Sequence, residues 1–520
     1  MIIRRDVLKL AALSIGATAS GALAQSTQPT PPATTAGSST ASSAPIPNFD
    51  AASIVDRARD LAKKPFVALD TDLPAPFAKL PYEKYVAIRP QPGSATWAGD
   101  NVGFALEPLH RGFLFSAPME INVVENGKAR RLGYDPSRFD FGGLQVPSTI
   151  PDIGFSGFRV LQPMGPDGFH EVAIFQGASF FRAIARGQNF GVTARALSIR
   201  TADPKGEEFP MVRAVWIERP TLANNALVLH ALVDSESMTG AYRFTLRPGD
   251  ITIIDTECTL FTRAIVDGVG LGTMAGMSFF GPANRRNRDD LREGVYETGG
   301  LQIHNTNGEW LWRPVSNRET LQISSFINNS PRGFGMLQRE RRFAQFQDDD
   351  QHWELRPSLW IEPLSDWGEG NVVLVEIPSD AEINENIVCF WRPKAPLQAN
   401  TEMALSYRQS WCWTPVERPP LAIVTETRQG KGASGKRRRF LVEFTGDIFA
   451  DAKQVADLKP ALSSSVGTIA LLRTFVSQPN KTYRLLFELD PASENLSELR
   501  LALENNGKPV SETWLYRWTA

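Results

Sequence analysis

The amino-acid sequence predicts an all-β protein built as two β-sandwiches, a large one followed by a small one. Short segments rich in β-branched and aromatic residues recur between Gly, Pro and Asp, which is typical of antiparallel strands and turns. No amphipathic helix longer than about three turns appears, and no fixed-period repeat is visible. Alternating β/α units are therefore disfavoured. A proline-rich break late in the chain divides the pattern into two parts.

Strand-like segments occur on both sides of that break. In the first part they begin at Ala105 (ALEPL), Ala226 (ALVLHALV), Ala241 (AYRFTL), Ile251 (ITIIDT) and Asn371 (NVVLVEI). In the second part they begin at Leu421 (LAIV), Arg439 (RFLVEF), Thr482 (TYRLLFEL), Leu499 (LRLAL) and Thr513 (TWLYRW). We expect each of these segments to be a strand of a sandwich.

The break spans residues 414–420 and contains three prolines in seven residues, which marks a domain boundary. We therefore predict a large N-terminal domain at 47–413 and a small C-terminal domain at 419–520. The second stretch is about 100 residues long, a size and strand count that suit an immunoglobulin-like sandwich.

The first 62 residues predict an exported protein. Residues 1–24 combine a basic start, an apolar run rich in small residues and the sequence Ala-Leu-Ala, as in a cleavable signal peptide. The pair Arg4-Arg5 matches the twin-arginine form of that signal. Residues 25–46 are almost wholly Ser, Thr, Pro, Ala and Gly, and predict a flexible linker. The spacing of apolar residues over 50–62 predicts one short helix.

Composition limits the classes of partner. The 55 basic and 57 acidic residues give a formal charge of −2, which offers no basic field for nucleic acid and suits a neutral substrate. Twelve Trp and 30 Phe can fill sandwich cores or form platforms for sugar rings, and the count does not decide between these uses. The three cysteines, Cys258, Cys389 and Cys412, are expected to be buried thiols, although one disulfide stays open.

Catalytic motifs of several enzyme classes are absent from the sequence. It contains no GxSxG, HExxH, P-loop or dinucleotide-binding glycine motif, and its five histidines lack ligand spacing. No metal or cofactor is predicted. The remaining candidates for catalytic groups are carboxylates near aromatic residues, the combination that glycosidases use. These residues are densest over residues 285–390. Structural alternatives exist there: Trp310 and Trp312 share a strand face that could be core, and Asp348 to Asp350 could be a solvated turn.

A series of motifs, in a fixed order, resembles the periplasmic glucan biosynthesis proteins, the MdoG/OpgG and OpgD family, over roughly residues 48–520. The motifs are Gly154-Phe-Ser-Gly-Phe158, Gln176-Gly-Ala-Ser-Phe-Phe-Arg182, Gly206-Glu-Glu-Phe-Pro210, Trp216-Ile-Glu-Arg-Pro220, Asp234-Ser235, Thr239-Gly-Ala-Tyr-Arg-Phe244, Gly308-Glu-Trp-Leu-Trp-Arg-Pro314, Ser324-Ser-Phe326, Gly333-Phe-Gly335, Leu337-Gln-Arg339, Arg356-Pro-Ser-Leu-Trp360, Trp367-Gly368 and Val375-Glu-Ile-Pro378. The twin-arginine signal favours the OpgD-type branch.

The resemblance implies a large β-sandwich of the carbohydrate-processing, mutarotase-like type and a small immunoglobulin-like sandwich. It also implies a role in osmoregulated periplasmic glucan biosynthesis, acting on β-1,2-glucan as an inverting glycoside hydrolase or a transglycosylase. The general acid falls on Glu385 and the general base on Glu297. Trp310, Trp312, Arg339 and Trp360 lie in the stretch most like the family's cleft and are candidate substrate-binding residues.

At both acid positions the family pattern has Asp where this chain has Glu. The extra methylene moves a carboxyl by roughly an ångström and can cost about a hundredfold in rate if nothing compensates. The chemistry stays feasible and the specificity is open. If Glu385 is not the acid, Asp348 to Asp350 and Glu376 are the next candidates.

Three functions are compatible with the sequence. The first is a carbohydrate-active enzyme that hydrolyses or transfers β-glucan segments. The second is a non-catalytic glucan-binding partner of the membrane glucan synthase, and the third is an enzyme of a different periplasmic polysaccharide. Each places the protein in the periplasm and not embedded in the membrane, and the first two place it in contact with β-glucan chains. A homodimer is left open.

The export signal gives the first prediction. Changing Arg4-Arg5 to Lys-Lys should leave the protein in the cytoplasm, because the twin-arginine pathway selects the paired guanidinium groups. Fractionation of cells that express the two forms measures this. A normal periplasmic yield of the Lys-Lys variant would contradict the prediction.

Overall fold

Strands dominate the chain in the computed structural model, which describes residues 48–147, 149–163, 168–285, 289–433 and 435–520. The twin-arginine signal and the linker lie outside the described residues. Three short α-helices are present in the described part: α1 (Ala52–Ala62), α2 (Tyr82–Val86) and α3 (Ala452–Ala456). The predicted all-β class is confirmed.

One large sheet has ten strands among the described residues. In spatial order they are β2 (Ala105–Leu109), β6 (Gly157–Pro163), β7 (Phe169–Gln176), β8 (Phe180–Ala183), β9 (Thr193–Arg195), β15 (Val269–Gly276), β24 (Ile387–Pro393), β23 (Glu369–Glu376) and β20 (Gln322–Asn329), with β10 (Ser198–Ile199) beside β15.

A second large sheet has fifteen strands in the described residues. In spatial order they are β28 (Leu458–Ser464), β31 (Leu496–Asn505), β33 (Thr513–Thr519), β19 (Trp310–Pro314), β18 (Gly300–His304), β21 (Gly333–Leu337), β22 (Ser358–Pro363), β25 (Glu402–Cys412), β14 (Thr252–Thr262), β13 (Met238–Arg247), β12 (Leu227–Asp234), β11 (Met211–Glu218), β3 (Glu120–Glu125) and β4 (Lys128–Arg131), with β32 (Lys508–Pro509) beside β31.

The smaller sheets and the 3-10 helices complete the described elements. A four-stranded sheet contains β26 (Ile423–Lys431), β27 (Arg438–Thr445), β30 (Thr482–Asp490) and β29 (Thr468–Ser477). Two strand pairs are β1 (Arg89–Pro90) with β5 (Phe139–Asp140) and β16 (Ser278–Phe280) with β17 (Val295–Tyr296). The 3-10 helices are Pro136–Arg138, Phe343–Gln345, Trp353–Leu355 and Asp447–Ala450.

The main core lies between the two large sheets. Alternate residues of each strand point inward, so the apolar side chains of facing strands pack together. Phe175 and Phe181 of the ten-stranded sheet contact Phe244 of the fifteen-stranded sheet, with ring centroids 6.0 and 5.3 Å apart. All three rings are buried. The large sandwich is therefore held by aromatic contacts between its layers.

The predicted short helix is α1, and it packs on the outer face of the fifteen-stranded sheet. Ile54 and Ala58 are buried against apolar residues of that sheet, including Trp216 and Phe261. The hydroxyl of Thr239 donates to the carbonyl of Ala58 at 2.7 Å. Helical spacing thus placed the apolar face of this helix correctly.

The C-terminal sandwich shares a sheet with the large one, which the sequence analysis did not anticipate. Its core lies between the four-stranded sheet and the strands β28, β31 and β33. Strand β33 pairs in parallel with β19, through Leu311–Thr513 and Trp312–Trp514. The strand break between β25 and β26 falls in the proline-rich stretch, and the exact domain division stays a prediction.

A buried ion pair joins the two sandwiches. Both oxygens of the fully buried Glu512 accept from Arg339, at 2.6 and 3.0 Å. The same carboxylate accepts from the backbone N–H of Val424 at 2.7 Å and from Gln302 at 2.9 Å. The guanidinium lies 3.5 Å from the ring centroid of Trp312. Four acceptor contacts satisfy this carboxylate, so its burial is compensated.

All three cysteines are free and buried, at Cys258, Cys389 and Cys412. Buried thiols were the expected form, and the alternative of one disulfide is wrong. Within the residues that the structure describes, no helix is long and apolar enough to cross a membrane.

The ion pair between the sandwiches gives the second prediction. Glu512→Ala leaves Arg339 and the Val424 N–H without their acceptor, and breaking a buried pair costs about 3–5 kcal/mol. We expect the free energy of unfolding, obtained from urea titration, to fall by about 3–5 kcal/mol. Glu257→Ala is the control, because its pair with Arg243 is exposed and such pairs contribute under about 1 kcal/mol. Equal effects of the two substitutions would contradict the prediction.

Candidate active site

Glu385 lies just before β24 and is almost fully buried, with 2% of its surface exposed. Its Oε1 accepts from Nη2 of Arg182 at 2.7 Å and from the hydroxyl of Thr193. Arg182 and Thr193 belong to the adjacent strands β8 and β9, and Nε of Arg182 donates to the Thr193 hydroxyl at 2.6 Å. Oε2 of Glu385 has no hydrogen-bond partner in the described part of the chain.

The neighbouring amide of Asn386 fixes this segment to β16. Its Oδ1 accepts from the backbone N–H of Ser278 at 2.9 Å, and its Nδ2 donates to the carbonyls of Ser278 and Ile377. Asn386 is buried. The backbone that carries Glu385 is therefore held from both sides.

Glu297 follows β17 directly and is 6% exposed. Its Oε1 accepts from the backbone N–H of Met277 at 3.0 Å, and its own N–H donates to the Met277 carbonyl at 3.0 Å. A Cβ atom at Gly191 would lie 3.2 Å from Oε2 of Glu297. The absence of a side chain at residue 191 therefore leaves room for the glutamate.

The two glutamates line one pocket of about 320 Å³. The other lining residues come from six separate segments of the chain and are Tyr82, Arg182, Phe190, Met277, Gln351, Trp353, Arg356, Glu382 and Ile383. The pocket thus combines three carboxylates, those of Glu297, Glu382 and Glu385, with two guanidinium groups and three aromatic rings. It contains the equipment that acid–base hydrolysis of a neutral substrate requires.

Burial and mutual repulsion set the protonation of the pair. Burial, followed by the charge of Glu385, raises the pKa of Glu297 from its ordinary 4.5 to about 7, although Arg356 and Arg182 oppose this. Burial also raises the pKa of Glu385, against the opposing effects of Arg182 and Thr193. Since two like charges in one buried site repel, a single proton is favoured at neutral pH.

Arg356 supports the wall of the pocket beside Glu297. It is 3% exposed, and its Nη2 donates to the backbone carbonyl of Gln351 at 2.8 Å and to the side chain of the same residue at 3.1 Å. Its Nη1 donates to the carbonyl of Phe190. Arg356 therefore connects three parts of the pocket wall next to Glu297.

One arginine joins two segments of the pocket rim. Arg292 lies 2.6 Å from Asp348 and 2.7 Å from Glu382, and it also contacts Asp290. The indole N–H of Trp353 donates to the same Asp348 oxygen at 2.9 Å. We call these residues, Asp290, Arg292, Asp348 and Glu382, the rim cluster. It ties the segment that carries Trp353 to the segment that carries Glu385.

The reserve acid candidates have structural partners. Burial alone would raise the pKa of Asp348, but hydrogen bonds from the Gln351 N–H, Arg292 and Trp353 lower it instead. Glu376 is 2% exposed and binds Arg313 at 3.1 Å and the Ser316 N–H at 2.6 Å. Neither residue lines the pocket of Glu297 and Glu385, and neither do Asp349 and Asp350.

The four candidate substrate-binding residues lie elsewhere. Trp310, Trp312 and Trp360 belong to the apolar core shared with the C-terminal sandwich, and Arg339 pairs with Glu512 as described above. Trp310 stacks on His304 with centroids 4.0 Å apart. None of the four lines the pocket of the two glutamates. This placement favours the alternative that the rings are core, and sugar binding by them stays an untested prediction.

Sequence reasoning did not select Arg182, Trp353 and Arg356. Arg182 ends the motif that begins at Gln176, and Arg356 begins the motif that ends at Trp360. The signal was therefore present in two motifs that carried the family resemblance. A buried arginine beside a carboxylate cannot be told from a surface arginine by its sequence neighbours alone.

The fold and the pocket define a class: an all-β protein with two buried carboxylates in one pocket on a β-sandwich. The family described as periplasmic glucan biosynthesis protein, MdoG, matches residues 49–518. This chain therefore belongs to the periplasmic glucan biosynthesis protein family. The branch within the family is not distinguished by the comparisons.

Relatives of similar length support the same family. "Glucans biosynthesis protein G" of Shewanella sp. (strain MR-4) and of Vibrio cholerae serotype O1 are each 44% identical over 478 residues, covering 91% of this chain and 87% of the relative. The protein of that name from Rhodopseudomonas palustris (strain BisA53) is 44% identical over 475 residues, covering 91% of this chain and 93% of the relative.

One solved structure, a galactose mutarotase related enzyme from Lactobacillus acidophilus, covers 46% of this chain and 96% of its own. The sequence identity is 8% and the TM-score 0.20. A superposition of that quality carries no argument about this protein.

The raised pKa of Glu297 gives the third prediction. A carboxyl with a raised pKa in the folded state favours folding while it is protonated, and this contribution is lost as the pH rises through about 7. Glu297→Gln removes that titration. Relative to the wild type, the melting temperature of the variant should rise as the pH increases from about 4.5 to about 7, and the difference should then stay constant. Thermal unfolding of both proteins across that range measures the difference, and a constant difference would contradict it.

Proposed function

We propose that this protein acts in the periplasm on β-1,2-glucan, as an inverting glycoside hydrolase or a transglycosylase of osmoregulated periplasmic glucan biosynthesis. Membership of the glucan biosynthesis family supports a glucan as the substrate and the periplasm as the location. The observation that carries the enzymatic part is the pocket in which Glu385 and Glu297 meet. A protein that only bound glucan would have no need to bury two carboxylates together at an electrostatic cost.

Glu385 is the proposed general acid. Its unpartnered and buried Oε2 is the atom on which a proton would sit, because Oε1 already accepts from Arg182 and Thr193. A protonated Oε2 can donate to the glycosidic oxygen as the bond breaks. The leaving sugar then departs as an alcohol rather than as an alkoxide.

Glu297 is the proposed general base. As a carboxylate it takes a proton from a water molecule that attacks the anomeric carbon from the opposite face of the sugar, which inverts the configuration. Transfer replaces that water by the hydroxyl of another glucan chain. Burial raises the pKa of both glutamates, and these roles require that Glu385 hold the proton when a glucan is bound.

The reverse assignment, with Glu297 as acid, is favoured by one observation, its pKa of about 7. A substrate with an activated leaving group distinguishes the two assignments, because it needs no acid. That substrate should restore turnover by Glu385→Gln and not by Glu297→Gln if Glu385 is the acid. The opposite result would exchange the two roles.

The non-catalytic alternative remains a glucan-binding partner of the membrane glucan synthase. Under this alternative the protein binds linear β-1,2-glucan and leaves its length distribution unchanged. Analysis of the products formed from linear β-1,2-glucan separates the two functions. An absence of both binding and product would favour the third function, an enzyme of a different polysaccharide.

The fourth prediction concerns Glu385. Glu385→Gln should abolish turnover while keeping glucan affinity, because the amide preserves the shape of the carboxyl but cannot serve as the same proton donor. Chromatography of products and binding calorimetry measure the two properties. Glu376→Gln is the control, since this glutamate is equally buried and lies outside the pocket. Full activity of Glu385→Gln would remove Glu385 from the mechanism.

A further inference from the structure

A second and larger cavity lies where the two sandwiches meet. Its volume is about 860 Å³, and it is bounded by β21, β26, β27, β30 and the proline-rich segment at 413–420. It shares no lining residue with the pocket of the two glutamates. The charged residues among those that line it are Arg339, Glu340, Arg341, Arg342, Arg418, Glu426, Arg428, Glu443 and Arg484. We call this space the interdomain cavity.

The charged residues that line the interdomain cavity have a net positive charge, although the whole chain is close to neutral. Six arginines and three glutamates line it. Of the six, Arg339 is neutralised by Glu512, and three others pair with the three lining glutamates. Arg341 and Arg418 are within ion-pair distance of no carboxylate in the described residues.

In each of the three pairs the carboxylate lies deeper than the guanidinium. Side-chain exposures are 67% and 18% for Arg342 with Glu340, 57% and 19% for Arg428 with Glu426, and 49% and 13% for Arg484 with Glu443. The exposed groups that the cavity offers are therefore mainly guanidinium N–H groups rather than carboxylate oxygens.

These pairs leave hydrogen-bond donors unused. Arg484 contacts Glu443 through Nε, while Arg342 and Arg428 each contact their glutamate through Nε and Nη2. Nη1 of Arg342, Nη1 of Arg428 and both Nη atoms of Arg484 have no acceptor within the described chain. Guanidinium groups with free donors are matched in geometry to carboxylate and phosphate oxygens.

The two remaining arginines strengthen the positive potential. The Nη atoms of Arg341 donate to the carbonyls of Glu354, Arg356 and Trp413, none of which carries charge. Burial lowers the pKa of Arg341 to about 10, so it stays a cation at neutral pH. Arg418 is exposed and precedes two prolines, which restrict its backbone.

We propose that the interdomain cavity binds a small anionic ligand that carries a phosphate or carboxylate group. Its volume lies in the range of small-molecule sites, roughly 300–1,000 Å³. A neutral glucan has no use for an excess of cationic charge. The proposal does not rest on the chemistry assigned to the glutamate pocket, because no lining residue is shared.

Calorimetric titration of the purified full-length protein at low ionic strength tests the proposal, with inorganic phosphate and succinate as probes. We expect saturable binding of at least one probe, with a dissociation constant of about 1 mM or tighter. Affinity should fall as salt is added, because screening weakens exposed charge interactions. No saturable binding of either anion would overturn the proposal.

Variants locate the site. Arg418→Ala and Arg428→Ala should each weaken binding by about tenfold, the loss expected when one hydrogen bond to a charged group is removed. Arg243→Ala is the matched control, because that exposed arginine also pairs with a glutamate but lies outside the interdomain cavity. Melting temperatures show that each variant is folded. Wild-type affinity in both cavity variants would refute the location.

Two further arms identify the kind of ligand. Linear β-1,2-glucan should not displace the anion, and displacement would make the cavity part of the glucan site. The protein should not co-sediment with vesicles of phosphatidylglycerol. If the protein sediments with these vesicles and binds neither phosphate nor succinate, the ligand of the cavity is a membrane surface and the proposal of a small anion is wrong.

Discussion

Two carboxylates that share one buried pocket impose the constraint on which the surrounding loops depend. Charges of the same sign repel strongly where water is excluded, so the chain has to supply groups that compensate them or share one proton between them. Arg182, Thr193 and the Met277 N–H hold individual oxygens, and Arg356 adds positive charge beside Glu297. The rim cluster then joins the segments on which these groups sit.

The pocket also has room for the full length of two glutamate side chains. Each glutamate needs more depth than an aspartate would. At Glu297 the extra length is accommodated beside Gly191, which has no side chain in that space, and the carboxylate reaches a backbone N–H. At Glu385 the carboxylate reaches across to two adjacent strands. Both glutamate side chains therefore fit the pocket wall and form hydrogen bonds with it.

Local sequence patterns predicted local structure well and long-range structure poorly. The strand at Ala105–Leu109 and the helix near residues 52–62 appear where alternation and helical spacing put them. The parallel pairing of β33 with β19 carries no local signal, since its partners are about 200 residues apart. The spacing of Trp310 and Trp312 showed that they share one face of a strand, but it did not show what packs on that face. In the structure the C-terminal sandwich packs there. Glu297 and Glu385 were selected through the family resemblance, because the sequence alone offers no criterion for choosing two catalytic residues among 57 acidic ones.

The shared sheet has a consequence for the order of biosynthesis. Strand β33 is the partner of β19, and it is synthesised some 200 residues after β19. Until then one edge of β19 presents unpaired backbone groups, which is the condition under which strands pair with wrong partners. A protein with this topology therefore gains from crossing a membrane only after both strands have been made and paired, and export in the folded state is what the pathway predicted from Arg4-Arg5 would provide.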